Sequence, residues 1–172
     1  MIHVCPLSQV AATVESTNAG HLVTLLTEGT PFERPAAIEA GNHLSLAMHD
    51  IVNEQPEMVT PSLAHVEALV DFARAWDRRR PLIIHCFAGI SRSTAAALIV
   101  AAALEPERDE AELARELRRL SPSATPNSLL VRLADGHLRR EGRMISAVEA
   151  IGRGADAFEG TPFRLMLGQY RS

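Results

Sequence analysis

Residues 81–104 read PLIIHCFAGISRSTAAALIVAAAL, and the fold follows from how this stretch divides. The run PLIIHC (81–86) is short and apolar, which predicts a buried strand of a mostly parallel sheet. From Ser91 to Leu104 the residues are apolar nearly all round, which predicts a central, buried helix that Pro106 stops. The junction, HCFAGISRS (85–93), packs a histidine, a cysteine, a glycine, an arginine and two serines into nine positions. A strand, a tight loop and a helix N-terminus in that order aim backbone N–H groups at one point and create a positive potential there.

Outward from this stretch, strand-like and helix-like runs alternate, the pattern of an α/β layer structure. IHVC (2–5) and HLVTLL (21–26) are short, apolar and rich in β-branched residues. HLSLAM (43–48) alternates, with Leu44, Leu46 and Met48 on one face. These runs predict a central, mostly parallel sheet of four to five strands flanked by helices. Thr60-Pro61 reads as an N-cap followed by a first-turn proline, with Val66, Leu69, Val70 and Ala73 forming the apolar face behind it. DEAELARELRRL (109–120) is amphipathic, with acids early and arginines late, as the helix dipole favours. Thr125-Pro126 repeats the cap signal and predicts one long helix over about 126–151. No repeat, low-complexity segment or linker divides the chain, so one domain over 1–172 is expected. Residues 152–172 carry no clear element; FRLML (163–167) reads as an edge strand or a surface segment.

Composition narrows the partners. Apolar content of 47% and charged content of 22% are those of an ordinary globular chain. The net charge of −4 gives no support for a nucleic-acid backbone or an anionic membrane as partner. All 17 basic residues are arginine, so a Gly-Lys-Ser/Thr nucleotide-binding loop is impossible. Two widely separated cysteines, Cys5 and Cys86, do not make a disulfide framework and point to a reducing compartment. The N-terminus lacks a signal-peptide pattern, and STAAALIVAAAL (93–104) is too short to span a membrane, so a cytoplasmic location is expected.

The junction itself carries the chemistry. Gly89 permits a backbone conformation that other residues resist. Arg92, six residues after Cys86, offers a planar fork suited to two phosphate oxygens. Cys86 lies at the base of this cradle, where amides, Arg92 and the helix dipole favour the nucleophilic thiolate. Cysteine and arginine at this spacing arise by chance in roughly one chain in five, so the pair alone decides nothing. With His85, Gly89 and Ser93 in place, chance falls to on the order of one in thirty thousand, which makes the set informative.

At these residues the sequence resembles the cysteine-dependent protein tyrosine phosphatase superfamily, whose signature is H-C-x-x-G-x-x-R-[ST]. The AGISRS form (88–93) looks most like the dual-specificity branch. The resemblance implies a phosphatase-type phosphate loop and attack of Cys86 on phosphorus to give a phosphocysteine. It implies that the amides of Phe87, Ala88, Gly89, Ile90, Ser91 and Arg92, with the Arg92 side chain, hold the phosphoryl oxygens. Ser93 would hydrogen-bond the thiolate, and His85 would orient the loop from behind. Neither a cofactor nor a metal is implied. The plain alternative is a buried cysteine and a capping serine beside an incidental arginine.

Hydrolysis of a phosphate ester also needs a general acid for the leaving oxygen. In the family this is an aspartate some thirty to forty residues before the cysteine. Asp50 fits, in AMHDIVNEQPE (47–57), at the C-terminal edge of an expected strand where α/β sites collect. Met48-His49 replaces the Trp-Pro that often flanks this aspartate, and Glu54 and Glu57 are the spare candidates. The doublet His49-Asp50 also matches metal-dependent phosphohydrolases, but those are all-helical and this doublet ends a strand-like run. In phosphatases of this class a Pro-Asn pair opens the helix after the signature helix. Here it is Pro126-Asn127, which places Asn127 behind the loop as a supporting residue or as a simple cap. Cys5 reads as inert core or as a second thiol able to trap an oxidised Cys86.

The loop's variable positions, Phe87, Ala88, Ile90 and Ser91, carry no positive charge. Phosphoinositide phosphatases of the superfamily have lysines there, so a polyphosphorylated headgroup is disfavoured unless Arg78, Arg79 or Arg80 folds over the site. The expected partner is a phosphorylated protein or a small phosphate ester, with no nucleic acid and no membrane. A catalytically silent phosphate- or phosphoprotein-binding module, a phosphatase of lipid or small-molecule phosphates, and a rhodanese-like sulfur transferase are the competing readings.

Overall fold

Four apolar runs pair in parallel because each is joined to the next by a crossover long enough to return the chain to the same end. They are β1 (Ile2–Pro6), β2 (His21–Leu26), β3 (His43–Ala47) and β4 (Leu82–Cys86). This computed structural model describes residues 1–168; residues 169–172 of the tail lie outside the described residues. A fifth strand, β5 (Phe163–Leu165), runs antiparallel on the far edge, giving the order β3-β2-β4-β1-β5. FRLML therefore supplies an edge strand over its first three residues. The sheet is the expected mixed one, and β4 lies at its centre with all five residues buried.

Among the described residues six α-helices flank the sheet. α1 (Val10–Thr17) packs on one face, where Val10, Val14, Cys5, Leu22 and Ile83 share a core. The opposite face is covered by α2 (Leu63–Ala75), α3 (Arg92–Leu104), α4 (Glu110–Leu120), α5 (Ser128–His137) and α6 (Arg143–Ile151), all contributing to the larger core. α3 is buried from Arg92 to Ala102, and its alanines let neighbouring elements approach closely. Strand alternation places Cys86 with Ile84 in the larger core and Cys5 with Ile83 in the smaller one. The two thiols thus lie on opposite faces of the sheet, and a disulfide between them would need a strand to turn over.

Two expected boundaries moved. α2 begins at Leu63, two residues beyond the expected Thr60-Pro61 start, because the Ser62 N–H finds a partner in His65 Nδ1 at 3.1 Å. The single helix expected over 126–151 is two. Arg139, Glu141 and Gly142 all take left-handed backbone, which ends α5 and turns the chain into α6. Asp135, buried near the end of α5, makes the break favourable. Its carboxylate accepts the Gly142 N–H at 2.8 Å and the Met144 N–H at 2.9 Å, capping the next helix. Among the described residues no helix is long and apolar enough to cross a membrane.

Candidate active site

The C-terminal ends of β1 and β4 meet at the N-terminus of α3, and the loop 86–92 closes there. Its carbonyls are turned outward by donors from three other segments. Phe87 O accepts from Leu7 N–H (3.0 Å), Ala88 O from Gly160 N–H (2.8 Å), Ile90 O from Thr125 N–H (2.9 Å) and Ser91 O from Asn127 N–H (3.3 Å). A trans peptide group holds its N–H opposite its C=O, so these bonds leave the loop's amides directed to the other side. Gly89 makes the turn possible. Its φ is +71°, and a Cβ there would lie 2.7 Å from Pro6 N.

Cys86 sits at the base of the loop, almost wholly buried. Its sulfur lies 3.2 Å from Ser93 Oγ and accepts the Gly89 N–H at 3.3 Å. Arg92 is 5% exposed; one terminal nitrogen donates to Met48 O at 2.8 Å, which ties the guanidinium to the strand end that precedes Asp50. Its Nε is buried, with no hydrogen-bond partner among the described residues. A buried, unsatisfied cationic donor is costly without an anion to complete it.

His85 lies behind the loop with no exposed surface. Its Nε2 meets Thr24 Oγ1 at 2.8 Å, and the same hydroxyl meets His43 Nε2 at 2.9 Å. The Phe32 ring packs 4.8 Å from the imidazole. Burial pushes the His85 pKa down to about 4. The imidazole is therefore neutral at ordinary pH, held by the Thr24 hydroxyl and by packing against Phe32 rather than by charge. Burial also pushes the Cys5 thiol up to about 12, so that cysteine stays protonated.

Asp50 is brought to the loop. Its Oδ1 accepts from Ser91 Oγ at 2.7 Å and from Asn127 Nδ2 at 2.9 Å, while Oδ2 carries neither bond. Asn127 does both things its position allowed. Its Oδ1 caps α5 by accepting the Leu129 and Leu130 N–H groups at 3.1 Å, and its amide holds the aspartate. Glu54 and Glu57 are exposed on the same loop, and no hydrogen bond ties either to the site among the described residues. His49 is engaged as the clasp of that loop: its N–H donates to Val59 O at 2.8 Å, and its Nδ1 accepts the Val59 N–H at 2.9 Å. Among the described residues no group of three histidines, cysteines or carboxylates is placed to hold a metal. Beside Asp50 and Ser91 a cleft of about 610 Å³ opens between the 50–55 loop and the 125–128 and 148–153 segments.

Of the expected site residues, His85, Cys86, Gly89, Ser91, Arg92, Ser93, Asp50 and Asn127 come together. The arginines 78–80 do not fold over the loop as a group, since Arg80 is spent on Asn18 and Ala19, with bonds of 2.9 Å. Several participants carried no sequence signal, among them the Met48 carbonyl, Thr24, Leu7 and Gly160. Each acts through a contact that no local motif encodes.

This loop, on this sheet, defines the fold of the cysteine-dependent protein tyrosine phosphatases. Within it, solved dual-specificity phosphatases share the architecture. No family model and no curated relative matches the sequence. Solved structures do match. The PTP-2 phosphatase of Cydia pomonella superposes with a TM-score of 0.60 at 21% identity, covering 78% of this chain and 84% of its own. Human DUSP28 gives a TM-score of 0.62 at 15% identity, covering 81% and 92% respectively. PTPMT1, solved in complex with PI(5)P, gives 0.63 at 14% identity, covering 81% and 91%. At these identities the likeness is one of fold.

Proposed function

We propose that the protein is a phosphomonoester hydrolase of the protein tyrosine and dual-specificity phosphatase type, working through a phosphocysteine. The observation that carries this reading is the joint placement of the Cys86 sulfur, within reach of the Gly89 N–H and Ser93 Oγ, and of Asp50, clamped to the same loop by Ser91. In the first step Cys86 Sγ, as thiolate, forms a bond to phosphorus and the P–O bond to the leaving group breaks. Asp50 gives its proton to the departing oxygen from Oδ2, the atom free of Ser91 and Asn127. The loop amides and Arg92 hold the three equatorial oxygens as charge spreads onto them. In the second step water attacks phosphorus, the Asp50 carboxylate takes its proton, and Cys86 leaves as thiolate, which the Ser93 hydroxyl stabilises. The products are the alcohol and inorganic phosphate.

The substrate class is a phosphorylated protein or a small phosphate ester. The uncharged positions Phe87, Ala88, Ile90 and Ser91 give extra phosphates nothing to meet, which disfavours a polyphosphorylated headgroup. Hydrolysis of p-nitrophenyl phosphate tests the reading. Turnover is expected without added metal, resistant to EDTA, blocked by vanadate and reduced by on the order of 10⁴-fold in Cys86→Ser. Phosphate binding without turnover by the pure protein would replace this reading with that of a phosphate-binding module.

A further inference from the structure

The segment that follows α6 runs along the phosphate loop before it reaches the sheet edge. It leaves α6 at Gly152, where Arg118 staples it: one nitrogen donates to Ile151 O at 2.7 Å, and the other to Gly152 O and Ala124 O at 2.8 Å each. Gly154 then crosses the 123–125 backbone so closely that a Cβ would lie 2.5 Å from Ser123 C, and its N–H donates to Thr125 Oγ1 at 3.0 Å. Further on, Glu159 accepts from Ser8 Oγ at 2.8 Å. Gly160 passes the phosphate loop, where a Cβ would lie 2.8 Å from Gly89 O. Phe163 and Leu165, both buried, then lock the chain into β5 beside β1. Both ends of the segment are therefore fixed, and so is the position of Gly160 between them.

At Gly160 the contact reaches the nucleophile through a single peptide group. Its N–H donates to Ala88 O at 2.8 Å. The N–H of that same peptide belongs to Gly89 and donates to Cys86 Sγ at 3.3 Å. One planar unit thus carries a hydrogen bond on its outer face from Gly160 and gives one on its inner face to the sulfur. The outer bond sets the plane of the amide and, by polarising it, strengthens the inner bond.

We propose that Gly160 is a positioning residue for Cys86, acting through the Ala88–Gly89 peptide to stabilise the thiolate. The glycine is required because a side chain would press on Gly89 O and hold the N–H away from Ala88 O. The proposal rests on Cys86 being the nucleophile, as argued above.

The test replaces the Gly160 amide with an ester by semisynthesis, which exchanges the N–H for an oxygen and adds no side chain. Gly160→Ala, which keeps the N–H but crowds Gly89, is the second variant. The readout is the rate of iodoacetate alkylation across pH, normalised to each protein's own limit at high pH. Cys5 does not compete, because it stays protonated in this range. For the ester the normalised rate at a fixed mildly acidic pH is expected to fall about tenfold, and the vanadate inhibition constant to rise by a similar factor. Gly160→Ala is expected to move both in the same direction. A folded ester variant with the wild-type profile would overturn the proposal and leave the hydrolase reading standing. A wild-type profile like that of an ordinary exposed thiol would instead defeat the nucleophile assignment, and this inference with it.

Discussion

Acidification should unfold this protein in part through one residue, His85. In the folded chain its pKa falls from the ordinary 6.5 to about 4, chiefly because burial penalises the charged form. Between those two values the unfolded chain binds a proton that the folded chain refuses. Stability contributed by the neutral imidazole is therefore complete above about pH 6.5 and is lost as pH falls towards about 4. Integrated from about pH 7 to about pH 4.5, the loss is about 2.5 kcal/mol, a large fraction of the stability of an ordinary domain. His85→Gln keeps a polar side chain for Thr24 but cannot titrate. It should be less stable than wild type at neutral pH, because the fit to Thr24 and Phe32 is poorer. That gap should shrink by about 2.5 kcal/mol, or reverse, at about pH 4.5. Urea unfolding at both pH values measures it, with the single tryptophan, buried Trp76, as reporter. A gap that stays constant across this range would refute the claim that His85 is held neutral by burial.

Two further outcomes follow from the site. Asp50→Asn should slow hydrolysis of an alkyl phosphate by about 10²-fold or more while sparing a good leaving group such as p-nitrophenol, as kcat with each substrate will read; an equal loss on both would remove Asp50 from the proton transfer. Gly89→Ala places a methyl 2.7 Å from Pro6 N at a φ of +71°, so it should abolish vanadate protection of Cys86 and lower thermal stability; a variant that still binds vanadate normally would show that the loop tolerates another backbone path.

Local physics made the centre of the molecule legible. A buried strand, a glycine turn and an apolar helix are short-range patterns, and β4, the loop and α3 formed where 81–104 indicated. Asp50 and Asn127 could be singled out through the family resemblance, which implies an aspartate well before the cysteine and a Pro-Asn pair; Asn127 caps α5, and Asp50 follows the end of β3 by three residues. What escaped was non-local. α1 was not anticipated, since VAATVEST has weak helical chemistry and is fixed by packing against Cys5, Leu22 and Ile83. The break at 139–142 depends on Asp135 reaching forward to cap α6, and the periodicity on either side hides it. His85 could be given a supporting place but not a charge state, because burial decides that. The outward donors to the loop carbonyls come from residues as far apart as Leu7 and Gly160.

The edge pairing of Val4 with Phe163 and Ile2 with Leu165 joins strands that lie at opposite ends of the sequence. Ribosomes make β1 early and β5 late. Until residue 165 emerges, β1 presents an open edge to any extended chain nearby, and the phosphate loop lacks the Gly160 donor. Such long-range closure slows folding and prolongs exposure of that edge. One edge of β1 thus stays open to mispairing from the completion of β4 until β5 is made.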